Sequence, residues 1–321
     1  MKKTSVVIIA KNEEESIGRC IKSVKKQDYK NKEIIVVNDA STDNTAKIAR
    51  KLGARVITNK KNLGIARSLN VGVKAAKGDV IITLHADAEM VNKDWISNIT
   101  TTLLENENIG AVTGNRIPKF SGKPNAIEKV HLYFGGAYIP SKPTKVSEIN
   151  WLPTRCDAFR KEALKKVGYF NKRLKISGDC IDISTRLKKK GYKLLIDPKS
   201  KTRINLSSQQ NRLKKILKKR INFGKVVPYL LLEHGFSIVR NTSWLLSTIP
   251  YIAYFVFLLL ALVHPVFFYL FLLENFVLSA RIAKVTGTSS FLSAFMLLPF
   301  YTILWNIGVI YGIFLINRKV I

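Results

Sequence analysis

An acidic cluster follows an apolar stretch in the first third of the chain. Residues 80–84 are apolar or β-branched, and His85, Asp87 and Glu89 follow them at alternate positions. Two carboxylates two positions apart suit a hard divalent cation, such as Mg²⁺ or Mn²⁺, that also binds the phosphate oxygens of a substrate. A polar turn at the end of a buried strand is the simpler interpretation of the same residues.

A second pair of acids lies further along the chain. Asp179 and Asp182 are three positions apart, so they share one face of a helix that is predicted to end before Gly191. An acid at the beginning of a helix can also serve as its N-cap, and this is the alternative interpretation of Asp179.

Four predicted strands and the helices between them must position these residues. The strands are 5–10, 33–37, 55–58 and 80–84, and helices are expected after Asn12, after Asn62 and, with Ser41 or Thr42 as the cap, after the second strand. This order predicts a doubly wound, mostly parallel α/β sheet. Ligands of such sheets bind outside the carboxyl ends of the strands, where the acidic cluster lies.

Asp39 and Arg67 are the first candidates for contacts with a nucleotide. Neither a G-x-G-x-x-G fingerprint nor a G-x-x-x-x-G-K-[ST] loop is present, so acidic and polar strand ends must bind any nucleotide instead. Asp39 at a strand end can accept hydrogen bonds from a base and a ribose, and Arg67 can reach a phosphate. The alternatives are an acid in a turn that enters a helix and a solvated arginine.

A stretch rich in glycine and proline, 116–150, follows a further predicted strand at 109–115. Such a concentration of turn-forming residues inside a compact domain is typical of a functional loop. We expect the loop, together with Trp151, Arg155 and Asp157, to line one side of a substrate site.

The net charge of +31 is concentrated in the first part of the chain. After Ser243 there are four basic residues and one acidic residue, so +28 of the total lies in residues 1–243. Such an excess favours an anionic partner, although the surface ion pairs of a heat-adapted protein give a similar composition. Three widely spaced cysteines and the lack of a signal-peptide pattern indicate a reducing, cytosolic setting for this part.

The last third of the chain carries membrane signals. Residues 208–225 combine apolar positions at helical spacing with seven lysines and arginines, which predicts a basic amphipathic helix on anionic membrane lipids. Uncharged stretches, the first interrupted by His264 and Pro265, predict three spans near 244–263, 266–282 and 291–316. Nucleic acid is not an expected partner, because no aromatic–basic motif accompanies the charge.

Five segments resemble family 2 glycosyltransferases with the GT-A fold. They are VVIIAKNEE (6–14), IIVVNDASTDNT (34–45), residues 62–89, AFRKEALKKVGYFN (158–171) and DCIDISTRLKKKGYKLL (179–195). The resemblance implies a nucleotide-sugar-binding GT-A domain, Rossmann-like and mostly parallel, at 1–207. Membrane-interface helices at 208–243 and a transmembrane region at 244–321 are expected to follow.

The same resemblance implies roles for individual residues. The donor-binding residues are then Ala10, Asn12, Glu13, Asp39, Arg67, His85 and Asp87. The loop at 116–150, with Trp151, Arg155 and Asp157, is then the acceptor side. The acidic cluster corresponds to the family's D-x-D metal motif, with Asp87 as the direct ligand of Mg²⁺ or Mn²⁺ and Glu89 as a further ligand. His85 replaces the first acid of that motif, and it is expected to orient a ligand, to contact the nucleotide, or simply to pack at the strand end.

The family's general base is the Asp of a Glu-Asp pair, where this chain has Asp179 and Cys180. A buried thiol is poorly matched to the deprotonation of an alcohol. Two explanations stay open. Asp179, with Asp182 on the same face, is a base displaced by one position, or the acceptor is an already ionised polyprenyl phosphate.

The sequence therefore predicts an inverting, metal-dependent glycosyltransferase at the cytosolic face of the cell membrane. It would move a sugar from a nucleotide-diphosphate sugar to a lipid-linked acceptor. One alternative is a processive surface-polysaccharide synthase, which is weakened because no tryptophan follows Arg212 in the position of a Q-x-x-R-W motif. The other is a non-catalytic membrane nucleotide-sugar binder, suggested by His85 and Cys180.

Overall fold

A computed structural model of the chain describes residues 2–120, 125–127, 129–130, 143–153, 155–206, 213–235, 256–257, 259–260 and 262–316. The chain divides into two compact units. The first consists of residues 1–119 and 142–205, and the second of residues 120–141 and 206–319.

The first unit alternates strands with helices. Its strands are β1 (Thr4–Ala10), β2 (Lys32–Asn38), β3 (Arg55–Thr58), β4 (Val80–His85), β5 (Ala88–Met90), β6 (Ile109–Phe120), β7 (Ser147–Glu148), β8 (Cys156–Arg160) and β9 (Lys193–Leu206). Its helices are α1 (Ile17–Lys25), α2 (Thr45–Lys51), α3 (Ile65–Ala75), α4 (Trp95–Leu104), α5 (Lys161–Lys166) and α6 (Asp179–Lys189). The predicted order of elements as far as β4 is confirmed.

The described strands form one sheet in the order β3-β2-β1-β4-β8-β6-β9-β5, with β7 paired to β9. The first four strands are parallel, and Val7 of β1 lies opposite Ile35 on one side and Thr83 on the other. β8 runs antiparallel to β4 and β6, and β5 runs antiparallel to β9. The predicted parallel sheet is therefore extended by an antiparallel part.

Complete burial explains the uninterrupted apolar sequence of the central strands. Every residue of β1 and the first five residues of β4 are buried, as expected for parallel strands that are covered on both faces. One face of the sheet packs into a core that includes Leu69 of α3, Phe159 of β8 and Ile183 of α6. This core fixes α6, and with it Asp179, against the sheet.

Two local predictions are wrong. The N-cap of α2 is Asn44 rather than Ser41 or Thr42, because both of these residues bond instead to Asn12 on the neighbouring loop. The strand predicted to end at residue 115 continues to Phe120. β6 is a neighbour of β9, a strand of 14 residues, in the sheet, and the local turn signal of Pro118 does not end it.

Gly72 is a point of close contact between α3 and the sheet. A Cβ built at this residue would overlap Val7 Cγ1 and lie 3.0 Å from Val37 Cγ2. We expect Gly72→Leu to cost about 2–3 kcal/mol through overpacking, which lowers the Tm by roughly 5–10 °C. Thermal unfolding of the full chain in detergent measures this. Lys74→Leu, on the exposed side of the same helix, is the control, and equal Tm losses in both variants would contradict the assigned contact.

Three long helices make up most of the described second unit: α7 (Leu213–His234), α8 (Pro265–Thr286) and α9 (Phe291–Leu315). Glycines allow α7 and α9 to cross closely. A Cβ at Gly308 would overlap the carbonyl oxygen of Ile221, and one at Gly224 would overlap the carbonyl oxygen of Trp305. Small residues at such a crossing bring helix backbones together.

The two later predicted spans correspond to helices. Pro265–Lys284 and Thr288–Leu315 are long and apolar enough to cross a membrane, by length and composition. His264 is the N-cap of α8, in agreement with the predicted break at that position.

Two other predictions fall partly outside the described residues. Most of the first predicted span, 244–263, lies there, and so do residues 207–212 at the beginning of the predicted amphipathic helix. The described part of that helix is α7, which continues to His234 instead of ending at residue 225.

Candidate functional site

The candidate site lies at the carboxyl ends of β1, β2 and β4. Ala10 pairs with Asn38, and Ile9 pairs with His85, so the three strands end almost level with one another. The N–H of Asp39 donates to the carbonyl oxygen of Ala10 at 2.8 Å. The loops after these strands therefore meet at one edge of the sheet, as predicted from their sequences.

The loop after β1 is fastened to the loop after β2. Asn12 adopts a φ of 53°, a left-handed conformation that asparagine tolerates. Its Oδ1 accepts a hydrogen bond from the N–H of Thr42 at 2.9 Å. The N–H of Glu13 donates to Thr45 Oγ1 at 2.8 Å, and burial raises the pKa of the Glu13 carboxyl. The nucleoside contacts of Ala10, Asn12 and Glu13 remain predictions.

Asp39 orders the loop that leads into α3. Its Oδ1 accepts hydrogen bonds from Asn59 Nδ2 at 2.9 Å and from the N–H of Leu63 at 2.8 Å, and its Oδ2 accepts one from the N–H of Gly64 at 2.9 Å. The sequence pattern did not indicate this role. The contact of Asp39 with a nucleotide remains a prediction, in which the ordered loop would form part of the pocket.

We expect Asp39→Ala to lower stability by about 3 kcal/mol, because it leaves two loop N–H groups and an amide without their acceptor. Nucleoside diphosphate binding should weaken by roughly tenfold as the loop loses its fixed shape. Calorimetry and thermal unfolding measure the two effects. Asp79→Ala, an exposed acid before β4, is the matched control. Wild-type binding by Asp39→Ala would exclude Asp39 from the pocket.

Arg67 connects α3 to the segment before α6. Its Nε donates to the carbonyl oxygen of Lys172 at 3.0 Å. This contact positions Arg67 at the edge of the site, and its approach to a ribose or diphosphate remains a prediction.

Asp87 is the buried acid of the cluster after β4, with 6% of its surface exposed. Its Oδ2 forms an ion pair with Nη1 of Arg155. Asp87 raises the pKa of Arg155 more than any other group does, and Glu13 and Asp179 also raise it. One guanidinium group is therefore paired with Asp87 and lies near enough to Glu13 and Asp179 to interact with them electrostatically.

Glu89 has a different environment from Asp87. Its Oε1 accepts a hydrogen bond from Asn205 Nδ2 at 2.6 Å, and its carboxylate lies 3.5 Å from Arg19 Nε and 3.6 Å from Arg203 Nη1. These contacts fasten β5 to α1 and β9. The role of Glu89 as a metal ligand remains a prediction.

His85 contributes to the site through its backbone. It is the last residue of β4, and its N–H donates to the carbonyl oxygen of Arg155 at 3.0 Å. This hydrogen bond places Arg155 next to the strand that leads to Asp87. A nucleotide contact of the imidazole remains a prediction.

The residues of the site fit a divalent cation whose coordination a substrate completes. Among the described residues, no group of three His, Cys, Asp or Glu side chains could hold a metal ion by itself. Sites for Mg²⁺ that include substrate phosphates commonly use only one or two carboxylates. Asp87, with Glu13 close enough to interact with it electrostatically, supplies that number.

Asp179 is the first residue of α6, and Gly178 before it has a φ of 85°, which allows the helix to begin abruptly. The carboxylate is buried, and its Oδ2 has no hydrogen-bond partner among the described residues. Burial raises the pKa of Asp179 to about 6. Such a group is ionised at neutral pH and is a stronger base than an ordinary aspartate, which are properties of a general base.

Asp182 is completely buried one turn further along α6. Its Oδ2 accepts a hydrogen bond from Arg186 Nε at 2.9 Å, and its Oδ1 accepts one from Asn171 Nδ2 at 3.3 Å. The bond from Asn171 joins α6 to the preceding segment, and the pair with Arg186 lies within the helix, so the contacts describe a structural role. A catalytic role for Asp182 remains a prediction.

Arg116 is a basic residue of the predicted acceptor side that the sequence analysis missed. It lies on β6, where it interacts electrostatically with Asp157, Arg155 and Cys180, and burial lowers its pKa to about 10. Asp157 is completely buried in β8. In the sequence, Arg116 directly follows the predicted end of the strand at residue 115, but Pro118 two positions later favours a loop there.

Trp151 lies at the other end of the predicted acceptor loop. It is half-buried, and the N–H of the next residue, Leu152, donates to Ser184 Oγ of α6 at 2.9 Å. Its contact with an acceptor remains a prediction.

Known proteins are similar to this chain in sequence. The family model described as "Glycosyl transferase family 2" matches residues 5–168, half of the chain. Poly-beta-1,6-N-acetyl-D-glucosamine synthase of Staphylococcus aureus is 30% identical over 194 residues, which are 58% of this chain and 46% of that protein. The synthase of Staphylococcus epidermidis is 29% identical over 203 residues, 61% of this chain and 48% of that protein. The chain thus spans about half the length of these curated relatives.

Solved structures share the fold. The mannosyltransferase PcManGT from Pyrobaculum calidifontis, solved with GDP-Man and Mn²⁺, aligns with a TM-score of 0.63 at 17% identity, over 99% of this chain and 88% of that one. GalNAc-T7, solved with UDP, GalNAc and Mn²⁺, aligns with a TM-score of 0.55 at 19% identity, over 71% of this chain and 48% of that one. The likeness confirms the predicted GT-A architecture.

Proposed function

Because the chain belongs to glycosyl transferase family 2, we propose that it transfers a sugar from a nucleotide-diphosphate sugar to a lipid-linked acceptor. One observation carries the proposal. The Arg155 guanidinium interacts with Asp87, Glu13 and Asp179, at the sheet edge where open α/β folds bind their ligands. This arrangement supports a donor diphosphate on one side of the guanidinium and an acceptor on the other.

Asp87 is the residue that would hold Mg²⁺ or Mn²⁺, with Glu13 or Glu89 as a second carboxylate. A bound cation would supply Lewis-acid stabilisation of the departing diphosphate. If the acceptor is an alcohol, Asp179 would take the proton from its hydroxyl, since Oδ2 of Asp179 has no partner among the described residues and the pKa is about 6. A polyprenyl phosphate, which arrives ionised, would need no base. Direct attack on the anomeric carbon inverts its configuration, and no covalent enzyme intermediate is then needed.

Two arginines support an anionic acceptor. Arg116 and Arg155 interact with each other electrostatically, and Asp157 is the acid that most favours the charge of Arg116. Two close guanidinium groups favour a phosphate, which forms charge-assisted hydrogen bonds with them. A polyprenyl phosphate fits this chemistry, and it would reach the protein from the membrane that the apolar helices α8 and α9 are expected to enter.

The orientation of the first unit is also part of the proposal. We place it on the cytosolic side of the cell membrane, because its basic surface suits anionic lipids of that leaflet. Arg281 and Lys284 near the end of α8 would then follow the positive-inside rule.

A processive polysaccharide synthase is the second candidate. The names of the staphylococcal relatives favour it, whereas the missing tryptophan after Arg212 disfavours it. Product length separates the two candidates, since a transferase of this kind adds one sugar to each lipid and a synthase releases a polymer.

A donor screen tests the proposal. The full chain in lipid vesicles with polyprenyl phosphate is incubated with UDP- and GDP-sugars and Mn²⁺, and the release of nucleoside diphosphate is measured. We expect lipid-dependent release with one donor and none after chelation by EDTA. Absence of release across the whole panel by folded protein would contradict the proposal and favour the non-catalytic nucleotide-sugar binder.

A further inference from the structure

Arg155 forms an ion pair with the carboxylate of Asp87, which is predicted to hold the metal ion. We propose that Arg155 is a built-in counter-ion of Asp87, which a divalent cation displaces when it binds. Arg155 would then be a positioning residue that links the state of the metal site to the acceptor side. The proposal rests on the proposed function, because that function places the cation at Asp87.

The ion pair between Arg155 and Asp87 lies in a partly buried environment, where electrostatic interactions are strong. The side chain of Arg155 is 25% exposed and that of Asp87 is 8% exposed, so water screens the pair less than it screens a surface pair. A buried carboxylate needs a compensating charge. In the absence of a metal ion, Arg155 supplies this charge.

The backbone holds Arg155 in place for this role. Its carbonyl oxygen accepts a hydrogen bond from the N–H of His85, two residues before Asp87. The side chain therefore begins next to the acidic cluster, whatever its head group contacts. Glu89, by contrast, has Arg19, Arg203 and Asn205 as its own partners, so Arg155 is specific to Asp87 within the cluster.

A cation and the guanidinium compete for the same carboxylate. A divalent ion at Asp87 repels a positive charge within a few ångströms, so the Asp87 contact of Arg155 must weaken when the ion binds. Glu13 and Asp179 are the other carboxylates that interact with Arg155. The displaced guanidinium stays among them, and its attraction for an acceptor phosphate is then no longer shared with Asp87.

Direct measurement of Mn²⁺ affinity tests the competition. Free Mn²⁺ is followed by electron paramagnetic resonance during titration of the full chain in detergent at neutral pH, without donor. We expect Arg155→Met to bind Mn²⁺ about tenfold more tightly than the wild type. Arg155→Lys, which keeps the charge, should gain about twofold to threefold. Arg50→Met, an exposed arginine at the end of α2, removes the same charge elsewhere and should leave the affinity unchanged.

Equal or weaker Mn²⁺ binding by Arg155→Met would overturn the proposal. If that variant loses the thermal transition of the wild type, Arg155→Lys takes its place, and an affinity no higher than that of the wild type overturns the proposal equally. A titration of Asp87→Ala with nucleoside diphosphate present separates this failure from failure of the proposed function. If Asp87→Ala binds Mn²⁺ as the wild type does, the metal assignment fails as well. If it loses binding while Arg155→Met matches the wild type, only the counter-ion proposal fails.

Discussion

Replacing Asp87 by alanine should abolish sugar transfer, with kcat/KM falling by at least about 10³-fold. Asp87 is the most buried carboxylate of the acidic cluster and lies two residues after the carboxyl end of the central strand β4. Its loss removes the charge that would hold a cation against the donor diphosphate. The rate of nucleoside diphosphate release in the presence of Mn²⁺ measures the effect.

Two further variants make the Asp87 result specific. Asp94→Ala, an exposed acid before α4, should keep wild-type activity. Glu89→Gln separates the two interpretations of Glu89. If Glu89 only fastens β5 to its neighbours, the Mn²⁺ concentration for half-maximal activity stays unchanged, and if it is a ligand, that concentration rises by about tenfold or more. If Asp87→Ala keeps activity close to that of the wild type, the assignment of the metal site to the end of β4 is wrong.

Replacing Asp179 by asparagine should lower kcat by about 10²- to 10⁴-fold if the acceptor is an alcohol. In the wild type, Asp179 must be ionised to accept a proton. Since its pKa is about 6, kcat/KM should fall about tenfold for each pH unit below 6 and be level above it. Asp179→Asn should lose this limb of the pH profile. Rates measured from pH 5 to pH 8 test both statements.

The same variant distinguishes the acceptor class. A polyprenyl phosphate arrives largely ionised near neutral pH, so Asp179→Asn would then retain its turnover while Asp87→Ala would not. That outcome would end the assignment of Asp179 as the base and support the phosphate acceptor suggested by Arg116 and Arg155.

Asp179 also makes a prediction about stability. Its pKa is raised in the folded chain from 3.8 to about 6, so the folded state binds the proton more tightly than the unfolded state does. The resulting stabilisation is complete below pH 4 and is lost as the pH rises through 6. At pH 8, the free energy of unfolding of Asp179→Asn should therefore exceed that of the wild type by roughly 2–3 kcal/mol, which thermal unfolding would show as a higher Tm. At pH 4 the two free energies should be nearly equal.

The parallel half of the fold was predictable because its sequence pattern has one physical cause. Strand β1 is buried along its whole length and β4 along its first five residues, and burial on both faces favours the apolar runs seen in the sequence. The antiparallel half was less predictable. β6 continues through Pro118 although proline favours a turn, and its neighbour in the sheet, β9, is some 80 residues away in the chain.

Some residues of the candidate site could be predicted from the sequence, and others could not. Asp87 and Asp179 could be identified because each directly follows a recognisable local pattern. Their partners could not, since the ion pair of Asp87 with Arg155 joins residues 68 positions apart. The three partners of Glu89 and the partial burial of Arg116 likewise depend on how distant strands and helices pack. Sequence periodicity carries no information about such tertiary contacts.

Mass spectrometry of the lipid product tests the central claim most directly. The full chain is incubated in vesicles with polyprenyl phosphate, the donor selected by the screen and Mn²⁺, and the lipids are extracted. The proposed function predicts a new lipid heavier by one sugar residue, which forms only when Mn²⁺ and Asp87 are both present. A folded wild-type chain that consumes donor without yielding this lipid, or yields it equally well in EDTA or as Asp87→Ala, would contradict the account.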